Sequence, residues 1–162
     1  MIEYYQIELT HGQVARVSAE DFDELSKFEW TARWHPSGKC YYAIRMPRIG
    51  GGRRVCIRMH RQIMGFPKGL NVDHIHGNTL DNRRSELRVA TNEENTRNAR
   101  RRSDNRSGFK GVGWHKHAQR WTARIKAGGA VMTLGYYHTP EAAYAAYCEA
   151  AKKHHGDFAR VA

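Results

Sequence analysis

Between Leu70 and Arg102 the chain carries a run of local signals that fit one order of elements. Leu70 to Ile75 reads as a strand, Gly77-Asn78 is a turn signal inside a long polar loop, and Leu87 to Ala90 is a short return strand. Thr91, followed three residues later by Glu94, is a capping box, so a helix is expected from Asn92 to about Arg102. The expected unit is strand, loop, strand, helix.

The flanking segments are written in different patterns. Ile7 to Leu9 and Val14 to Val17 are short strand-like runs joined by Thr10-His11-Gly12-Gln13, a hairpin turn. Ser18 with Asp21 marks the start of a short helix through about Lys27. Strands at Tyr41 to Met46 and Arg54 to Met59 flank the Gly50-Gly51-Gly52 loop as a small meander. Beyond Arg102, residues Ser103 to Gly108 are polar and aperiodic, as a linker is. Three strand-like runs follow, Gly111 to His115, Trp121 to Lys126 and Val131 to Tyr137. Thr139 as N-cap and Pro140 at the first helical position then open an Ala-rich helix that ends near Gly156. No repeat recurs at a fixed period. The expected fold class is α+β: a β-rich N-terminal scaffold over 1–54, the strand-strand-helix core over 55–102, a linker over 103–108, and a three-stranded antiparallel sheet packed on one helix over 109–162.

Charge narrows the partners. Of 162 residues, 27 are Lys or Arg and 16 are Asp or Glu, a net charge of +11, which points to a polyanion. The excess is local: residues 1–30 hold seven acidic side chains against Arg16 and Lys27, whereas residues 97–126 hold ten basic side chains against Asp104 alone. Cys40, Cys56 and Cys148 form no CxxC pair, which argues against a disulfide framework or a four-Cys zinc site and fits a reducing cytoplasm. No apolar run is long enough for a span, and the N-terminus has no signal-peptide pattern, so a cytoplasmic protein with no membrane role is expected. At this length a large multidomain catalyst is excluded.

The residues able to do chemistry are concentrated in the central unit. Hydrolysing a phosphodiester needs a base for water and a cation at the leaving oxygen. Asp73 and His74 are neighbours, so on a regular strand they point to opposite faces; they can serve one site only where the strand ends or bulges. Asn95 lies one turn into the following helix, and a carboxylate with an amide oxygen forms a hard donor pair suited to Mg²⁺ or Mn²⁺. His76 and Asp81 read as solvent-facing loop residues. His154 and His155 read as a solvated helix end.

The stretch VDHIHGNTLDNRRSELRVATNEENTRN, about 27 residues in register, resembles the HNH endonucleases of phages and introns, whose ββα-metal motif runs V-D-H-I-x-G-N, D-N-R, N-L-R, T-x-x-x-N. The resemblance implies that Asp73 and Asn95 ligate one divalent ion, Mg²⁺ or Mn²⁺, that His74 is the general base, and that Asn82 organises the loop. His60, in Met59-His60-Arg61, also matches the family. At the position of the usual middle Asn this chain has Glu86. Ionised Glu accepts hydrogen bonds without donating, so the loop loses a donor there, or the metal shell gains a carboxylate.

In the last third, basic and aromatic residues alternate at strand spacing. Thr122, Arg124 and Lys126 fall on one face, and Trp121, Ala123 and Ile125 on the other. Such a basic sheet face can enter the major groove of double-stranded DNA. The segment from Ser107 to Asp157, about 50 residues, resembles the plant ethylene-response-factor (Apetala-two) DNA-binding domain. The likeness lies in Gly111-Val112, Trp121-x-Ala-x-Ile, Leu134-Gly135-Tyr136 and Thr139-Pro-Glu-Ala-Ala. It implies DNA contacts from Lys110, Arg124 and Lys126, while Gly113 replaces a basic contact residue; Trp114 and Arg120 join the candidate surface. Arg97, Arg100, Arg101, Arg102 and Arg106 are expected to track the phosphate backbone as the chain leaves the catalytic helix. The combined reading is a phage-like, homing-type HNH DNA endonuclease, placed in the host cytoplasm if phage-encoded, with one site per chain and so one nick per encounter. The rival is a DNA-binding regulatory or architectural protein whose nuclease site has decayed.

Overall fold

The computed structural model describes residues 4–99 and 104–159. Helices and small sheets share the chain, and the class is α+β. Two compact units divide it, one up to Asn92 and one from Glu93 onward.

In the first unit, β1 (Tyr4–Glu8) and β2 (Val14–Ser18) form an antiparallel hairpin whose alternation turns Ile7, Ala15 and Val17 inward. Helix α1 (Ala19–Leu25) follows. Ser18 is its N-cap residue, but makes no side-chain cap bond; its Oγ accepts from the Arg84 backbone N–H at 2.9 Å. Asp21 takes the Arg84 guanidinium on both oxygens, at 2.7 and 2.9 Å. The residues that read as a local capping signal are therefore claimed by a partner more than sixty positions away.

The meander contains a strand that sequence reading missed. Strands β3 (Thr31–His35), β4 (Cys40–Arg45) and β5 (Ile57–Arg58) form an antiparallel sheet in that order. The expected strand Arg54 to Met59 shrinks to two residues. The Gly-rich segment, with Gly51 and Gly52 at positive φ, closes a wide loop bridged only between Arg48 and Arg54. Met59 instead opens α2 (Met59–Ile63), which buries Met59, His60 and Ile63. Strand β6 (Asn71–His74) pairs antiparallel with β8 (Leu87–Ala90), and α3 (Asn92–Arg97) follows β8 in the chain, where the second unit begins. Helix α3 ends at Arg97 rather than near Arg102; residues 100–103, with Arg100, Arg101 and Arg102, lie outside the described residues. Between β6 and β8, the two-residue β7 (Asp81–Asn82) leaves the loop to pair in parallel with β2. A single hydrophobic cluster runs from Ile7 and Val17 through Leu25, Trp30 and Met59 to Val72 and Leu87, so scaffold and hairpin share one core.

The second unit is a sheet of β9 (Val112–His115), β10 (Arg120–Ala127) and β11 (Ala130–Tyr137), with β10 central, covered by α4 (Pro140–His155). Thr139 caps α4, accepting from the Ala142 N–H at 3.2 Å, and Pro140 occupies the first turn. Ala143, Tyr147, Ala151 and His155 make a buried stripe at four-residue spacing, and the cluster includes Val112, Ala123 and Ile125. His155 is thus buried rather than solvated, its Nε2 donating to the Lys126 carbonyl at 2.9 Å.

Gly111, at φ +75°, makes the closest backbone approach in this unit. A Cβ there would lie 2.2 Å from Tyr147 Cδ2 and 2.9 Å from the Arg124 carbonyl. Gly111→Ala therefore combines a strained φ with overpacking, and should destabilise the second unit by about 3 kcal/mol or more. Urea unfolding followed by circular dichroism checks this; a loss below about 1 kcal/mol would contradict the packing described.

Candidate active site

Strand β6 ends at His74. The Gly77 N–H turns back to the His74 carbonyl at 2.9 Å, and the Ile75 N–H is taken by the Glu86 carbonyl at 2.9 Å. Asp73 and His74 are both buried. Across the hairpin Asp73 faces Arg88, whose Nε and Nη2 donate to its Oδ2 at 3.1 and 3.0 Å. This carboxylate is held against a cation inside the protein.

His74 is positioned by Asn82, which is fully buried because β7 is pinned to β2. The Asn82 amide donates through Nδ2 to the Leu80 carbonyl at 3.2 Å, so the end facing His74 Nε2, at 3.3 Å, is the acceptor Oδ1. In the neutral imidazole this assigns the proton to Nε2 and the lone pair to Nδ1. His60 packs beside it, its ring 5.0 Å from that of His74 and edge-on to it. Tyr42, from β4, lies against both rings, at 5.5 and 6.2 Å.

Burial keeps these imidazoles neutral. For His60, desolvation first and then the charges of His74, Arg58 and Arg61 push the pKa down to about 3. For His74 burial also lowers the pKa, opposed by the Asn82 hydrogen bond and by Asp73, Asp81 and Glu86. Two residues read as solvent-facing loop positions are engaged. Asp81 is buried and takes Arg83 at 2.6 and 2.7 Å, while exposed His76 meets the Glu86 carboxylate at 2.7 Å. Glu86 also faces Arg83 at 3.8 Å.

Asn95 belongs to the second unit, at an exposed position of α3. Among the described residues no group of three or more His, Cys, Asp or Glu side chains is placed to hold a metal. Sequence reasoning missed Arg88, Tyr42 and Arg58. Arg88 had a signal, since a short hairpin sets opposite charges across from one another, and Arg58 lies two residues before His60; Tyr42 reaches the histidines only through tertiary packing.

The candidate DNA residues fall into distinct settings. Arg97 pairs with Glu93 at 2.9 Å, and Lys110 Nζ donates to the carbonyls of Arg97 and Ala99. Arg106, Arg124 and Lys126 are exposed, with no carboxylate partner among the described residues. Thr122, expected beside Arg124 on an open face, is buried: it sits on the central strand between Gly113 and Tyr136, next to a bulge at Ala123/Arg124. Trp114 pairs in register with Trp121, their rings 5.2 Å apart, which by strand alternation places it on the face of Ala123 and Ile125. Arg120 is half-buried and donates to the Gln119 carbonyl at 3.2 Å.

Residues 59–97, from the first residue of α2 to the last of α3, match the family model of the HNH endonuclease. This segment is an HNH endonuclease domain. The chain is also similar to "Protein 3.8" of Escherichia phage T7, with 39% identity over 64 residues, or 40% of this chain and 53% of that protein. It thus spans about half the length of the curated relative it matches. No solved structure matches the chain. Within the HNH domain, His60, Asp73, His74, Asn82 and Glu86 all lie in the first unit, and no described helix is long and apolar enough to cross a membrane.

The two neutral histidines make folding acid-sensitive. Their folded pKa values lie below the ordinary 6.5, so the unfolded chain binds more protons at intermediate pH; the stability is present above 6.5 and is lost as pH falls towards about 3. His60 alone should cost about 2 kcal/mol at pH 5 relative to pH 7.5. His60→Phe should shrink the difference between those two pH values by that amount in urea titrations; an unchanged difference would show that His60 titrates normally.

Proposed function

We propose that this chain is a metal-dependent HNH DNA endonuclease of the phage and homing type, and that residues 109–162 are an Apetala-two-type DNA-binding domain. The observation that carries the reading is His74: an imidazole kept neutral by burial and oriented by Asn82, at the end of a strand whose preceding residue is a buried carboxylate. A general base must be unprotonated at working pH and must hold its lone pair in a fixed direction. Asn82 supplies the direction by accepting from Nε2, which fixes the ring that would take the proton of a water attacking the phosphodiester.

The family resemblance names Asp73 and Asn95 as ligands of the divalent ion, Mg²⁺ or Mn²⁺, and of the two Asp73 lies in the first unit beside His74. Asp73 offers the hard carboxylate oxygens such an ion prefers, and since its Oδ2 takes the Arg88 guanidinium, the ion would share the carboxylate with that cation or displace it. When bound, such an ion supplies charge stabilisation at the leaving oxygen. Glu86, engaged with His76, stands at the position of the family's middle Asn and acts on the loop that carries His76 and Arg83 rather than as a donor to His74. Arg106, Arg124 and Lys126 supply phosphate contacts, joined by Arg100, Arg101 and Arg102 from outside the described residues. Lys110 acts by holding the chain that leaves α3, and Trp114 by packing against Trp121. The substrate is double-stranded DNA, and the T7 relative favours a phage setting in a bacterial cytoplasm.

Supercoiled plasmid should be nicked in Mg²⁺ or Mn²⁺ and left intact in EDTA, and His74→Ala should lower the rate by about 10² to 10⁴. Because burial lowers the His74 pKa, the midpoint of the acid limb of the rate should lie below the ordinary imidazole value of 6.5, which a pH–rate profile checks. Binding without metal should weaken with salt at a log-log slope of roughly −5 to −7, from about 5 to 8 phosphate contacts. Tight binding with no cleavage in any metal would instead establish the decayed-site binder.

A further inference from the structure

The face of the β3–β4–β5 sheet that carries Tyr42 has a feature that the nuclease reading does not use. A cavity of about 330 Å³ opens there, lined by Arg33, His35, Tyr42, Ile44, Cys56 and Arg58, together with Trp34. The strand registers explain the grouping: Arg33 is opposite Tyr42 and Ile44 is opposite Arg58, so alternation puts these four on one face. The other face holds Ala32 and Ala43, buried in the core.

Three properties of this cavity point to one ligand chemistry. Arg33 and Arg58 are exposed cations with no carboxylate partner among the described residues, although the first thirty residues carry an acidic excess. The aromatic lining is stacked for contact: the Arg58 guanidinium lies 5.5 Å over the Tyr42 ring, and His35 meets Tyr42 edge-on at 5.7 Å. The same Tyr42 ring lies 5.5 Å from His60 and 6.2 Å from His74. The cavity is therefore a lateral extension of the histidine site, separated from the proposed base by one aromatic side chain. Cations without counter-charge beside a ring face are what a phosphate with its sugar and base requires, and the volume lies at the small end of ligand sites.

We propose that this cavity seats a nucleotide of the DNA strand flanking the scissile phosphate, with Arg33 and Arg58 on backbone phosphates and the Tyr42 edge against the sugar or base. The proposal rests on the nuclease reading for the identity of the neighbouring phosphate. It gives the first unit its own grip on the substrate, through residues remote in sequence from the basic run that begins at Arg97.

The test uses the full chain and reads binding and cleavage separately. Cys56 lines the cavity and is exposed, whereas Cys40 and Cys148 are half-buried, so iodoacetamide labelling followed by peptide mass analysis reports occupancy. In EDTA, plasmid DNA should slow Cys56 labelling, and thymidine monophosphate at matched phosphate concentration should not. The double variant Arg33→Ala/Arg58→Ala should reduce the magnitude of the salt slope of binding by about two. It should also lower kcat/KM for nicking about tenfold or more, with Arg33→Lys/Arg58→Lys recovering the salt slope. Both sites are exposed, and an unchanged circular dichroism spectrum controls for folding. Equal Cys56 labelling with and without DNA, or a full salt slope in the alanine variant, overturns the proposal, even where His74→Ala abolishes cleavage. Protection by the mononucleotide equal to that by DNA also overturns it, making the cavity a free-nucleotide site. If wild-type protein fails to cleave, the nuclease reading falls, and Cys56 protection and the salt slope still decide whether the cavity holds DNA.

Discussion

The parallel pairing of Asp81 and Asn82 with β2 is the constraint on which the site depends. It is only two residues long, with Arg16 opposite Asp81 and Val17 opposite Asn82, and it is reinforced by the Arg16 N–H donating to the Leu80 carbonyl at 2.9 Å. A loop between two short strands would otherwise sample many conformations, at an entropic cost of about 1–2 kcal/mol for each residue ordered. Here the loop is fastened by β7 on β2, the Arg84 guanidinium on Asp21, the Arg84 N–H on Ser18, and the Thr79 hydroxyl on the Tyr41 carbonyl. Asn82 is fully buried as a result, and a buried amide must satisfy its polar atoms. It does so with the Leu80 carbonyl and the His74 ring, so the burial of a scaffold strand and the orientation of the proposed base are one structural event.

This coupling explains what was legible in the sequence. Signals confined to neighbouring residues survived folding: the β6 and β8 strands, the Thr139-Pro140 start of α4, and the three strands of the second unit lie close to where local patterns put them. Signals that a distant partner could claim did not. Ser18 and Asp21 spell a cap, yet their oxygens serve Arg84. Thr122 alternates with Arg124 and shares its strand, yet it is buried opposite Tyr136 and Gly113 while Arg124 is exposed. Strand β3 lacked a strong apolar alternation of its own, because only Ala32 within it is buried, and its pairing with β4 supplies the rest. Strand β7 is too short to have a period at all.

The site followed the same rule. Asp73 and His74 could be singled out because they adjoin a turn and share a strand end. Arg88 was readable in principle from the hairpin register. Tyr42 was not, since it precedes His60 and His74 by 18 and 32 positions and meets both only because α2 and β6 pack against β4. A ring that touches two candidate histidines is invisible to any pattern shorter than the fold itself.

Counting arginines cannot separate those that hold the fold from those left to bind, whereas their partners can. Arg83, Arg84, Arg88 and Arg97 each face a carboxylate, and three of those carboxylates, Asp81, Asp21 and Asp73, are buried. Removing such a guanidinium strands a buried charge, so these side chains are tied to stability before any question of DNA arises. Arg33, Arg58, Arg106 and Arg124 have no such partner among the described residues, and their charge remains directed at solvent. The acidic excess of the first thirty residues contributes to this division, since Asp21 and Glu20 both take Arg84 and so neutralise the loop next to the site. The net charge of +11 is thus an average over two populations, and the unpartnered one occurs in both units: around the His60 and His74 rings in the first, and on the sheet in the second.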